Sequence, residues 1–534
     1  MTRGRIAGLA VLAVFAVLGL VPIANWIPDE LAAPWYAGAL AQWLSGSAIA
    51  VGVGVIVALV ARRAPGLWRS GAGRDAFTAI DPANLQALGF VAVAAFGIYL
   101  AVAVLVFSAK PLHVDEMVQL MQARMYAAGR LWQPTDPDPT FQSILHQVDF
   151  QGRTFGHFPP GGPLVLALGD LWGVPWIMVP LTGAIAVVAW GLILRRIEPA
   201  PSVRGAALVL FAGAPFTAFL AGSEMNHMPA LMWLLLALAA ALYQSPDRLR
   251  PGLAFAAGLA LGMAAATRPP DALAFGLAIA VWGLIRFRRS PGLSQALGAA
   301  LLGAAIPVAG ILLVNQATTG APLRFGYELL WGKNVGLGFH AAPWGPPHTP
   351  LRGLELVNLY LLRLEAYLFE TPFPALLPAL AALGLSRRMD SGDRLLLGAS
   401  AALLGLYFMY WHDGFYLGPR FAYGLIPAAV LWSARFPGLV RERWGDGLVH
   451  RATVTALVVG ALLAAVRGIP DRVAQYASSF PAFRWDPDRA PDFAGVRNAV
   501  VFVQETWGSA VLARLWSLGV PKAKVERLYR AVDT

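Results

Sequence analysis

The chain has 534 residues, 57% of them hydrophobic and only 13% charged, against about 25% charged in soluble globular proteins, which excludes a soluble enzyme and indicates an integral membrane protein. Its formal charge of +11 lies in short clusters between apolar runs instead of one basic stripe, which argues against nucleic acid as a partner. With no cysteine, thiolate catalysis, cysteine-bound zinc and disulfides are all ruled out.

A helix needs roughly 20 apolar residues to cross about 30 Å of hydrocarbon. Apolar segments of that kind fall at about 6–24, 37–61, 86–108, 174–194, 205–222, 228–244, 251–267, 270–286, 293–315, 366–386, 395–411, 420–435 and 451–467. The expected fold is an all-α polytopic membrane protein of about 13 transmembrane helices. Its start, "MTRGRIAGLAVLAVFAVLGLVPIAN", has the basic opening and apolar run of a signal sequence, but its length and the lack of an A-x-A site favour an uncleaved first span. Arginine clusters at 62–74, 195–204, 248–250, 286–289, 387–394 and 435–451 occupy alternate connections, which places them and the N-terminus in the cytoplasm. Residues 1–467 then form the membrane domain, with large outer loops at 110–162 and 316–365. The remainder, 468–534, falls on the outer side as a strand-like run followed by one or two amphipathic helices. So short a piece buries only a marginal core, so this small α/β segment should pack on the outer face.

The chemistry-bearing residues concentrate on that outer side. In "KPLHVDEMVQL", His113, Asp115, Glu116 and Gln119 open a helix whose apolar stripe is Val114, Val118, Met121 and Met125. It should lie amphipathically at the membrane surface. Asp115 and Glu116 either favour the helix N-terminus by about 0.3–1 kcal/mol through its dipole or act chemically. "GHFPPGGP" holds His157, then prolines suited to a first helical turn, then Gly161 and Gly162, which permit close approach to a helix or a ligand. Tight outer hairpins keep Glu224, His227, Arg268 and Asp271 near the bilayer surface, where ionisable groups are often functional. Arg420 follows a Gly-Pro turn at the start of a span, a pairing suited to phosphate, although arginines there also snorkel to the interface. Lys333 in the 316–365 loop is a further substrate-binding candidate, with His113, His157, Gln119 and Glu224.

The order of these motifs resembles the membrane-embedded C-superfamily of glycosyltransferases (GT-C). It runs from an acidic pair within "DEMVQLMQARMYAAGRL", through "QGRTFGHFPPGGPLVLAL", to a series of spans and an outer "GPR" ending at Arg420. The branch it resembles contains bacterial protein O-mannosyltransferases and lipid A aminoarabinose transferases. The likeness is strongest over about 110–200 and elsewhere rests mainly on topology. Two spans precede the one that normally leads into the first loop, and His157-Phe158 replaces the commoner aromatic before Pro-Pro-Gly.

The resemblance implies transfer of a sugar from a polyprenyl-phosphate carrier at the outer face of a bacterial cytoplasmic membrane, with Asp115 as catalytic base. A carboxylate in a partly desolvated site can take the proton of an attacking hydroxyl, and cations can stabilise the departing phosphate. The expected roles are Asp115 as base, Glu116 orienting the acceptor or a metal, and Arg420, Arg268 and His227 at the donor phosphate. A divalent metal on Asp115 and Glu116 stays open, as does the acceptor, be it envelope lipid, glycan or protein. No Walker loop or strand-bounded GxGxxG is present, which favours a lipid-linked donor over a nucleotide one. A lipid-linked-oligosaccharide ligase or polymerase, or a flippase for lipid-linked sugars, are the alternatives.

Overall fold

A computed structural model describes residues 13–14, 16–23, 32–64, 68, 71–137, 144–342, 346–386, 389–412, 414–480, 484, 515, 520–521 and 524–525. About half of the predicted 6–24 span and most of the C-terminal segment lie outside the described residues.

The described chain is mainly helical. The first helices are α1 (Ala32–Arg63), α2 (Ala72–Ala79) and α3 (Leu85–Ala101), the last extended by a π-turn over Val102–Val106. Asn84 caps α3, accepting the Gln86 N–H at 2.9 Å. After Ser108 and Ala109, both at positive φ, the chain turns into α4 (Val114–Ala127). A small sheet in the order β1 (Gln133–Pro134), β3 (Arg153–Gly156), β2 (Gln147–Phe150) comes next, all antiparallel. Gln151 and Gly152, at φ 50° and 74°, form the two-residue turn between β2 and β3, the left-handed pair that matches strand twist.

Helices α5 (Gly161–Asp170), α6 (Met178–Ile197), α7 (Pro201–Gly213) and α8 (Pro215–Gly222) follow. Between α7 and α8 the path bends by 47° at Pro215, which cannot donate to the helix ladder. Then come α9 (His227–Leu242), α10 (Pro251–Thr267), α11 (Pro269–Phe287), α12 (Leu293–Thr319), α13 (Gly326–Trp331), α14 (Pro350–Tyr367), α15 (Leu377–Leu385) and α16 (Ser391–Phe408). A 3-10 turn over Arg420–Leu425 opens α17 (Ile426–Trp444), and α18 (Leu448–Leu463) continues through a π-turn into α19 (Ile469–Ser478). The core joins α3, α6 to α11, α14, α16 and α17 around fully buried Tyr99, Trp190, Phe211, Phe275 and Tyr423.

Among the described residues six helices are long and apolar enough to cross a membrane, or seven if the bent α7–α8 pair makes one span. This is a multi-pass membrane protein. Other predicted segments form shorter helices: α9 has 16 residues, about 24 Å at 1.5 Å per residue. The expected span at 366–386 is not one helix. Chain between α14 and α15, carrying Pro372 and Pro374 with Glu370 at φ 53°, breaks it. Part of the expected 316–365 loop is itself helical, as α13 and α14.

Helix α9 shows how the connections sort. It begins at His227, beside Arg268 and Phe421, and ends at Leu242, whose carbonyl accepts from Arg196 at 3.0 Å. The far end also gathers Glu198, Asp393 and Arg435, with both Arg435 contacts at 2.6 Å. Connections expected on the same side of the membrane therefore meet at the same end of the bundle.

Candidate active site

The first turn of α4 separates its two acids. His113 is the N-cap, its Nδ1 accepting the Asp115 N–H at 3.3 Å, and Glu116 reaches back to the backbone as its capping partner. Glu116 Oε2 accepts the N–H groups of Leu112 and His113 at 2.8 and 3.1 Å, and Oε1 that of Glu224 at 3.2 Å. It is fully buried, and burial raises its pKa in spite of those amides.

Asp115 points elsewhere. Its Oδ2 lies 3.1 Å from Arg420, its Oδ1 3.0 Å from His146 Nε2 and 3.4 Å from His113 Nδ1. Burial pushes its pKa up, but Arg420 first and the hydrogen bond from His146 outweigh it and hold the carboxyl well below the usual range. The carboxylate keeps 15% of its surface and the Arg420 side chain 8%. His146 takes φ 69°, a left-handed conformation that histidine tolerates better than most side chains, and such local strain accumulates at functional sites.

A second arginine stands behind the first. Arg268 donates to Asp271 at 2.5 Å and to the Tyr407 hydroxyl at 2.9 Å, and Tyr407 in turn donates to Asp271 at 2.8 Å. Phe421 lies 5.0 Å from the Arg268 guanidinium and 5.3 Å from that of Arg420. His227 is buried against Phe421 and Tyr423, with neither ring nitrogen hydrogen-bonded. Arg420 Nε is also buried without a partner. An unpaired buried donor costs about 1–3 kcal/mol, so both groups suit an anionic visitor.

The structure therefore brings together Asp115, His113, Arg420, Arg268 and His227, and seats Glu116 beside them as a cap. Gln119 is buried with Oε1 unsatisfied, close to Gly162. His157 packs 4.6 Å from His146 and 4.1 Å from Tyr327, forming one aromatic wall with Trp331. Glu224 is buried beside Glu116, and burial first, then the Glu116 charge, raises its pKa to about 8. Lys333 is exposed, two residues past Trp331, and stands outside the cluster. Sequence reading did not single out His146 or Tyr407. His146 has only the general placement of histidines on outer loops as a signal, and Tyr407 none.

Asp115 faces side chains whereas Glu116 faces backbone amides, so the two carboxylates do not converge on one point as a shared metal site requires. Among the described residues no group of three or more His, Asp or Glu side chains is arranged to hold a metal ion.

The site and its carrier thus define a multi-pass membrane protein with a buried carboxylate–arginine centre at one end of its bundle. No family model and no curated protein matches the chain. Among solved structures it is similar to ArnT from Cupriavidus metallidurans bound to undecaprenyl phosphate, at 17% identity over 75% of each chain with a TM-score of 0.46. It is also similar to the Archaeoglobus fulgidus oligosaccharyltransferase in the apo form, at 15% identity over 73% of this chain and 55% of that one, with a TM-score of 0.39.

Proposed function

We propose that this protein is a glycosyltransferase that moves a sugar from a polyprenyl-phosphate donor to an acceptor hydroxyl at the outer face of the membrane, with inversion. The observation that carries the reading is the Asp115–Arg420 pair, 3.1 Å apart, partly open and next to the unsatisfied nitrogens of His227 and Arg420. In the reaction the acceptor oxygen bonds to the anomeric carbon while its proton passes to Asp115. The bond from that carbon to phosphate breaks, and the electron pair leaves with the polyprenyl phosphate. Arg420, with Arg268 behind it, neutralises the developing charge, and His227 donates a hydrogen bond to it.

Arg420 cannot serve phosphate and Asp115 equally. When the donor phosphate engages the guanidinium, Asp115 loses its strongest counter-charge and becomes a better base, so donor binding primes the carboxylate. The proposal includes the finer topology: about thirteen crossings, a cytoplasmic N-terminus, and residues 468–534 on the outer side of a bacterial cytoplasmic membrane. A monosaccharide transferase is preferred over a flippase because the candidate site's ionisable groups lie at one end of the bundle instead of mid-membrane.

The test is Asp115→Asn assayed with a polyprenyl-phosphate sugar. Transfer should be lost while the protein still folds and the donor still binds; retained turnover would remove Asp115 as base.

A further inference from the structure

A separate cavity of about 350 Å³ lies between the start of α1, the end of α14 and α19, walled by Trp35, Trp43, Gln42, Thr371, Glu370 and Arg472. None of these residues belongs to the Asp115–Arg420 cluster. Glu370 and Arg472 neutralise one another, through contacts of 2.7 and 3.3 Å.

Arg363 on α14 has no such partner. Its guanidinium stands 5.2 Å from the Trp35 ring, which lines the cavity, and 3.9 Å from the Phe415 ring. Its Nε is buried without a hydrogen bond, and among the described residues the groups that act most on its charge are Tyr367, Tyr360 and Arg472. Aromatic faces attract a cation but leave its N–H donors unsatisfied. Among the described residues the charges of the cavity lining cancel, and Arg363, beside the Trp35 wall, adds one positive charge. Beside it, Leu40 and Leu44 of α1 are exposed, on a helix long enough to cross the bilayer. A molecule placed here can keep its chains against that apolar surface while an anionic head reaches Arg363 and polar head atoms reach Gln42 and Thr371.

We propose that this cavity binds the headgroup of an anionic lipid, with Arg363 as the counter-ion, as a site distinct from the Asp115–Arg420 centre. The full-length protein in neutral detergent is titrated with phosphatidylglycerol, with phosphatidylcholine of the same acyl chains, and with glycerol phosphate, and adducts are read by native mass spectrometry. Phosphatidylglycerol should bind most tightly, and Arg363→Gln should weaken it about tenfold, equivalent to about 1.4 kcal/mol, with Arg363→Lys restoring much of it. Should Arg363→Gln fail to fold, Gln42→Ala at the exposed rim tests the same cavity and should weaken binding less. The proposal is overturned if Arg363→Gln binds as wild type, if phosphatidylcholine or glycerol phosphate binds as tightly, or if Arg420→Gln removes the adduct while Arg363→Gln does not. Asp115→Asn should leave the adduct unchanged, so loss of transfer and loss of lipid binding are read separately.

Discussion

Arg420, 3.1 Å from Asp115, decides how that carboxylate titrates, and so what donor binding does to it. In the donor-free protein its pKa is depressed. It contributes stability that is present above the unfolded value of about 3.9 and is lost only as pH falls through the lower folded value. With phosphate on Arg420 the depression is relieved. The acid limb of kcat, which reports the donor complex, should therefore lie at higher pH than the acid limb of kcat/KM, which reports the free enzyme. Superimposable limbs in a pH–rate series would show that Arg420 does not exchange partners. Arg420→Lys keeps the charge but loses the fork, and donor KM should rise about tenfold, near 1.4 kcal/mol, in the same transfer assay. Glu224 runs in the opposite sense. With its pKa raised to about 8, the folded state holds a proton that the unfolded state releases near pH 4.3, so stability falls as pH rises from there through about 8. Glu224→Gln should remove that loss, and melting temperatures of wild type and variant should separate at pH 8 and converge near pH 4.

At the scale of elements, the site depends on how closely α4, α5 and the connection before α9 approach. A Cβ on Gly162 would stand 2.7 Å from Gln119 Oε1 and 2.8 Å from Asn226 Cβ, so the Gly161-Gly162 pair serves helix packing at this point. Gly162→Val should cost about 1–3 kcal/mol by overpacking, seen as a lower unfolding temperature, and should reduce transfer by tilting α4. Much of this level was legible in the chain. Long apolar runs gave helices close to their expected limits, as at 251–267, where the two coincide, because length and composition suffice for that inference. Other elements were not. The 366–386 run is apolar enough to read as a span, yet Pro372 and Pro374 interrupt it, and the hairpin around Gln151-Gly152 was hidden in a loop between helices. In the site, the sidedness of the loops together with the motifs and the family resemblance singled out Asp115, Arg268 and Arg420. The Tyr407 contact to Asp271 spans 136 residues of sequence, and no local pattern encodes such a meeting.

For the molecule as a whole, the two ends of the bundle use charge differently. At the site end, Arg420 and Asp115 form a partly open pair, flanked by unsatisfied nitrogens, that can exchange partners with a ligand. At the far end Arg435 clamps Glu198 of the α6–α7 connection to Asp393 of α16, with the two carboxylate side chains 5% exposed and contacts of 2.6 Å. This arrangement is fully satisfied and has no free valence for a substrate. Removing the arginine strands two buried carboxylates, so Arg435→Met should cost about 3–5 kcal/mol, measured as a lower melting temperature in detergent. Because helices such as α9 hold the two ends apart, the loss should not reach the transfer step. Specific activity per folded molecule, taken well below the melting temperature, should match wild type, with donor KM unchanged. A fall in kcat with folding intact would mean that the far-end clamp sets the geometry around Asp115, and that the bundle couples its two ends instead of separating them.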